Sequence, residues 1–166
     1  MKRKKQQQMK GVGRRLVIGD ALAVNRLSTS ELKMLMMQPC SLYILPEVLT
    51  DVRESTKEQL MSGLYPARIK HYKLNTSEKI RANLEEGRPG NWRTDNYSLF
   101  LARKLNAPML VGDECWRMQA NDLRDVKLVH TDRQGLFFFL MQYYPSFRRR
   151  INIFAVEVEP KKAIRA

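Results

Sequence analysis

Residues 94–114, TDNYSLFLARKLNAPMLVGDE, constrain the fold more than any other stretch of the chain. Asp95 opens a helix in which Leu99, Phe100, Leu101, Ala102 and Leu105 make most faces apolar, so that helix must be largely covered. Asn106-Ala107-Pro108 stops it, because proline disfavours helical geometry in the residue before it. Met109-Leu110-Val111 follows as a short apolar run, the pattern of a strand covered on both faces. Asp113 and Glu114 then stand at the strand's C-terminal end. In an open α/β sheet that edge is where ligands and catalytic groups collect.

The rest of the chain repeats this alternation. Leu16-Val17-Ile18-Gly19 reads as a buried strand ended by Asp20, and Ala21 to Leu27 continues apolar. Ser28-Thr29-Ser30 with Glu31 offers an N-cap to ELKMLMMQ, whose methionines are core filler and whose end is Pro39. Ser41–Leu45 (SLYIL) is a second strand. PEVLTDVRESTKEQLMSGLY reads as one helix with proline in its first turn, stopped near Gly63, and it places Glu47, Asp51 and Glu54 on one face. Ala67–Leu74 alternates as a half-exposed strand, and Asn75-Thr76-Ser77 caps the helix SEKIRANLEEG. Residues 87–91 (GRPGN) form a loop. After Asp113 come a short helix over 114–125, the strand KLVH, a helix begun by Thr131-Asp132 and running through FFFLMQYY, and a strand-like INIFAVEVE. Strands alternating with helices predict an α/β fold: a three-layer αβα sandwich around a mostly parallel sheet, with right-handed crossovers. The division is a basic arm over 1–15 and a single domain over 16–166, large enough to bury a core.

Charge narrows the function. Thirty Lys and Arg against seventeen acids give a formal net charge of +13. That excess favours a polyanionic partner, nucleic acid before a membrane surface; solubility alone is the alternative. Cys40 and Cys115 have neither metal spacing nor a disulfide framework, which fits a reducing compartment such as the cytoplasm. No apolar run approaches the length of a membrane span, and no apolar core of a signal peptide follows the basic N-terminus.

Against this basic background, Asp20, Asp51, Asp95 and Asp113 (with Glu114) fall at the ends of buried strands or in helices that follow them. Carboxylates held together raise one another's pKa unless a cation neutralises them, and hard oxygen ligands suit Mg2+ or Mn2+. A metal held this way can orient water for attack on a phosphodiester. The plain alternative for each acid is a helix cap, a dipole partner or a turn residue.

These segments resemble the PIN-like nuclease fold. LVIGD is similar to its first strand and first acid, SLYILPEVLTDVRE to its second strand and the helix with the second acid at Asp51, and TDNYSLFLARKLNAPMLVGD to its acid-opened helix and acid-ended strand. The resemblance implies Mg2+- or Mn2+-dependent cleavage of RNA, with Asp20, Asp51, Asp95 and Asp113 in catalytic positions and Asp20, Asp95, Asp113 and Glu114 near the metal. For toxin-type members it also implies an inhibitory protein partner. The chain departs from the pattern at Ala21-Leu22-Ala23, where Ser, Thr or Asn often follows the first acid, and at Gly112, where Thr or Ser often precedes the last. Those departures keep a second reading in play, a non-catalytic nucleic-acid-binding protein on the same fold.

Two groups interleave cations with aromatics: Arg68, Lys70, His71, Tyr72 and Lys73, and then Arg88, Trp92 and Arg93. Exposed rings stack on bases while Arg and Lys hold phosphates, of RNA or of DNA; buried rings would instead leave the charges merely solvated. His71 and His130 have no partner at metal spacing and read as structural. The acids beside Cys115 oppose its thiolate. No phosphate-binding loop or nucleophile elbow occurs. FFFLMQYY reads as core, and any exposed part of it would offer a surface to a partner or a second copy.

Overall fold

The structure, a computed structural model, describes residues 14–87, 92–119, 123, 125–132 and 134–149. Five strands form one sheet: β1 (Arg15–Ile18), β2 (Ser41–Ile44), β3 (Arg68–His71), β4 (Met109–Val111) and β5 (Leu128–His130). Their order is β3-β2-β1-β4-β5, and every pairing is parallel. The helices are α1 (Leu22–Asn25), α2 (Thr29–Met36), α3 (Pro46–Leu49), α4 (Glu54–Met61), α5 (Thr76–Glu86), α6 (Arg93–Leu105), α7 (Cys115–Gln119) and α8 (Gly135–Tyr143). The architecture is a three-layer α/β sandwich. The expected mostly parallel sheet is wholly parallel among the described residues. Arg15, counted with the basic arm on sequence, is the first residue of β1.

The central strands are apolar because both faces are covered. Leu16, Val17, Ile18, Met109, Leu110 and Val111 are each fully buried. The edge strand β3 is shorter and more exposed than the half-exposed strand its alternation implied over 67–74, with Ile69 alone partly covered within it. Helix α6 packs on β1 and β4, and α5 packs on α6. Asn106 ends α6 in the left-handed region at φ 48°, which asparagine tolerates better than most residues. Ser28 accepts from the Glu31 N–H while Glu31 accepts from the Ser28 N–H, the capping box read from sequence. Asn75 caps α5 through the Glu78 N–H.

One helix of the sequence reading is two. The chain breaks at Asp51-Val52-Arg53 between α3 and α4, so Glu47, Asp51 and Glu54 share no continuous helical face. A distant side chain holds the break open. Asn25 Nδ2 donates to the Asp51 carbonyl at 3.1 Å, and Asn25 Oδ1 accepts from the Arg53 N–H at 3.0 Å. Gly63, at φ 68°, follows the end of α4 as expected.

In FFFLMQYY, Phe139, Leu140 and Tyr144 are buried while Phe138 projects into solvent. No helix among the described residues is long and apolar enough to cross a membrane. The loop at 88–91, Arg150 and INIFAVEVE lie outside the described residues, as does the basic arm up to residue 13.

Candidate active site

The sheet order places the site. From β1 the chain moves outward to β2 and β3, then returns to lay β4 on the other side of β1 and goes on to β5. The connections leaving β1 and β4 therefore diverge, and the crevice beyond their C-terminal ends is the topological switch point of the sheet. Asp20 follows β1 and Asp113 follows β4, so these two acids flank that crevice.

A cleft of ≈ 390 Å³ opens there, lined by Asp20, Ala21, Leu22, Asn25, Val48, Asp51, Trp92, Thr94, Asp95 and Asp113. All four expected aspartates line it, and among the described residues no Lys, Arg or His does. Among the described residues no cation forms an ion pair with any of the four. The other acids at this edge differ. Glu114 is exposed and outside the cleft lining, paired with Arg117 at 3.2 Å, and Arg117 also holds Asp132 at 2.8 Å.

Each cleft acid has its own support. Asp20 is the most heavily bonded. Its Oδ1 accepts from the Ala23 N–H at 2.8 Å and the Gly112 N–H at 3.1 Å. Its Oδ2 accepts from the Gly112 N–H at 3.1 Å, the Asp113 N–H at 3.3 Å and the Trp116 indole N–H at 3.0 Å. Asp20 thus ties the end of β1 to the end of β4 and to α7. Asp113 Oδ1 accepts from the Cys115 N–H at 3.0 Å and so opens α7. Asp95 Oδ2 accepts from the Trp92 N–H at 3.0 Å at the start of α6. Asp51 is exposed in the turn clamped by Asn25. Capping, the plain alternative for these acids, is real for Asp95 and Asp113, and it coexists with their place in the cleft.

The electrostatics follow from this crowding. Burial pushes the Asp95 carboxyl up to about 6, the Trp92 N–H opposes the rise, and the charges of Asp20 and Asp113 add to it. The Cys115 thiol is pushed up to about 12 by burial and by Asp113, Asp95 and Asp20, which removes it as a nucleophile near neutrality. His130 is lowered by burial and by Arg117.

Hard carboxylate oxygens, with no cation of the described residues among them, have the chemistry that Mg2+ or Mn2+ requires. Asp95 Oδ1 and both carboxylate oxygens of Asp51 accept no hydrogen bond among the described residues. Even so, no group of three or more His, Cys, Asp or Glu side chains among the described residues stands close enough together to hold a metal ion. The donors fit a divalent cation in kind, and they line one cleft without converging on one point.

Of the nucleic-acid candidates, Trp92 lines the cleft and is 78% exposed, with Arg93 exposed beside it. Arg68, Lys70, His71 and Lys73 are exposed along β3 and just beyond it, while Tyr72 is half-buried under the Lys104 ammonium. Arg88 lies outside the described residues. Sequence reasoning missed Asn25 and Trp116. Asn25 carried no local signal. A tryptophan so close to Asp113 carried one, since a buried indole N–H needs an acceptor.

Comparison of the chain with protein-family models, with curated proteins and with solved structures gave no match in any of the three. The cleft and its charge therefore carry the functional argument.

Proposed function

We propose that the protein is a divalent-metal-dependent ribonuclease that cuts RNA phosphodiesters at the cleft beyond β1 and β4. The observation that carries this reading is the four-carboxylate lining, with no cation among the described residues lining it, in a chain of net charge +13. A basic surface gathers a polyanion, and an acidic pocket within it repels that polyanion unless a cation intervenes.

Mg2+ or Mn2+ would be held in the cleft by one or two of Asp95, Asp113 and Asp51, with water completing its ligands and the remaining carboxylates, Asp20 included, adding negative charge. When bound, such an ion would supply the positive charge that polarises a phosphodiester and activates water. The chain's own residues do the positioning. Asp20 fixes the Gly112 and Asp113 backbone, and so the place of the Asp113 carboxylate. Asn25 fixes the turn that presents Asp51. The Trp92 N–H fixes Asp95. In this reading the protein works in the cytoplasm on RNA, and a toxin-type nuclease of this kind would be silenced by an inhibitory protein partner.

A second reading, a nucleic-acid-binding protein that does not cut, is favoured by one observation: the Asp20 oxygens are already occupied by N–H donors. RNA incubated with the protein in Mg2+ or Mn2+ separates the two. The nuclease reading expects cleavage that EDTA stops and that Asp95→Asn and Asp20→Asn abolish. If the parent and both variants bind RNA alike and none cuts it, the second reading stands.

A further inference from the structure

One side chain of the cleft is explained neither by the core nor by the acids. Trp92 is 78% exposed, although a bare indole is costly to leave in water. Among the described residues no ring or cation packs on it. The chain's other tryptophan, Trp116, is fully buried. The exposed ring is tied to the site, because the same residue donates its N–H to Asp95 Oδ2 at 3.0 Å and lines the cleft with Thr94 and Asp95. Leu22, 37% exposed, adds apolar surface to the lining. Arg93 next to Trp92 and Arg53 just after Asp51 are both exposed, giving cations to flanking phosphates.

Resting on the reading of the cleft as an RNA site, we infer that Trp92 is a base-stacking platform and that the substrate is single-stranded RNA. One unpaired base lies on the indole while the adjoining phosphate reaches the carboxylates. A duplex has no free base face to offer, because its bases stack on one another, whereas unpaired bases lie readily on aromatic side chains. A protein partner would favour a broad apolar patch around the ring; among the described residues the apolar lining is limited to Ala21, Leu22 and Val48, set among four carboxylates with Arg53 and Arg93 exposed nearby.

The test uses the full chain with Ca2+ in place of Mg2+ or Mn2+, so that the charge of the carboxylates is offset while binding is read without the ions that support cleavage. Tryptophan emission is followed while three strands are titrated in: a single-stranded oligoribonucleotide, the same strand with abasic positions, and a blunt duplex. Trp116 is shielded, so a change reports Trp92. The expected result is saturable quenching by the single strand, little by the other two, and loss of the signal in Trp92→Phe. Trp92→Ala should weaken single-strand binding roughly 5- to 100-fold, with Trp92→Phe retaining most of the affinity. Equal quenching by the abasic strand, unchanged affinity in Trp92→Ala, quenching by no strand, or quenching only by a protein would each overturn the inference. The two readings fail separately. Stacking without metal-dependent cleavage removes the nuclease and keeps the platform. Cleavage by Trp92→Ala at the parent's KM removes the platform and keeps the nuclease.

Discussion

The Trp116 indole N–H donates to Asp20 Oδ2 at 3.0 Å, joining residues 96 positions apart at the junction of β1 and β4. Trp116 is fully buried, so this donor has exchanged water for a carboxylate, one of the stronger hydrogen bonds a protein makes. Trp116→Phe keeps most of the ring and removes the donor. It should lower stability by about 2 kcal/mol, since bonds to charged groups contribute roughly 1.5–3 kcal/mol. Urea unfolding of parent and variant measures this. An unchanged midpoint would mean that the bond does not anchor Asp20.

Gly112 stands where the resemblance leads one to expect Ser or Thr, and the packing gives the reason. A Cβ there would lie 2.4 Å from the Leu22 carbonyl carbon and 2.5 Å from the Ala23 N, both backbone atoms. The start of α1 presses directly on the end of β4, as it must for Asp20 to reach the Gly112 N–H. Gly112→Ser should therefore cost at least about 2 kcal/mol and should not improve metal binding, because overpacking against backbone forces the strand end to move. Thermal unfolding reads the first outcome and Mn2+ titration the second. A stable Gly112→Ser with tighter metal binding would contradict the packing account.

Asp95 carries a cost to stability. Its carboxyl titrates near 6 in the folded state against 3.8 ordinarily, chiefly through burial and then through Asp20 and Asp113. Between these values the folded chain holds a proton that the unfolded chain has released, so this group's contribution falls as pH rises from about 4 to 6. Above that window ionised Asp95 costs about 3 kcal/mol, taking 1.36 kcal/mol per pKa unit. Asp95→Asn keeps an acceptor for the Trp92 N–H and removes the charge. The variant should be more stable than the parent at pH 8, by up to about 3 kcal/mol, and nearly equal to it at pH 4. Urea unfolding at the two pH values decides it. A variant less stable than the parent at pH 8 would show that the ionised Asp95 carboxyl carries no net cost from its burial and its acidic neighbours. A stabilised variant that has lost cleavage would also show that the loss is not misfolding.

Much of this was legible in the sequence, for local reasons. The 94–114 stretch announced itself because an apolar helix, Asn106 with Pro108, and an apolar strand each carry their own signal, and the structure has α6, a left-handed Asn106 and a buried β4 at those places. The capping box at Ser28 and the cap at Asn75 were equally local. The break at Asp51 was not. Residues 46–63 keep helical spacing throughout, and the amide that bonds the interruption, that of Asn25, lies 26 residues before Asp51 in the chain. Asp20 was legible as a strand-end acid, but its partners, Trp116 and the Gly112 and Asp113 N–H groups, come together only through the reversal of sheet order. Glu114 shares its local signal with Asp113 because the two are adjacent in sequence; the fold leaves it exposed outside the cleft lining, paired with Arg117.

The central claim is that the aspartates of this cleft take up a divalent cation, and the most direct measurement is the unfolding temperature of the full chain at neutral pH as Mn2+ is added. A ligand that binds the folded state alone raises stability by RT ln(1 + [L]/Kd), about 2.7 kcal/mol at a hundredfold excess over Kd. The account predicts a midpoint that climbs with Mn2+ in the parent and stays flat in Asp95→Asn and Asp113→Asn. A parent midpoint indifferent to millimolar Mn2+, or one that climbs equally in both variants, would contradict it.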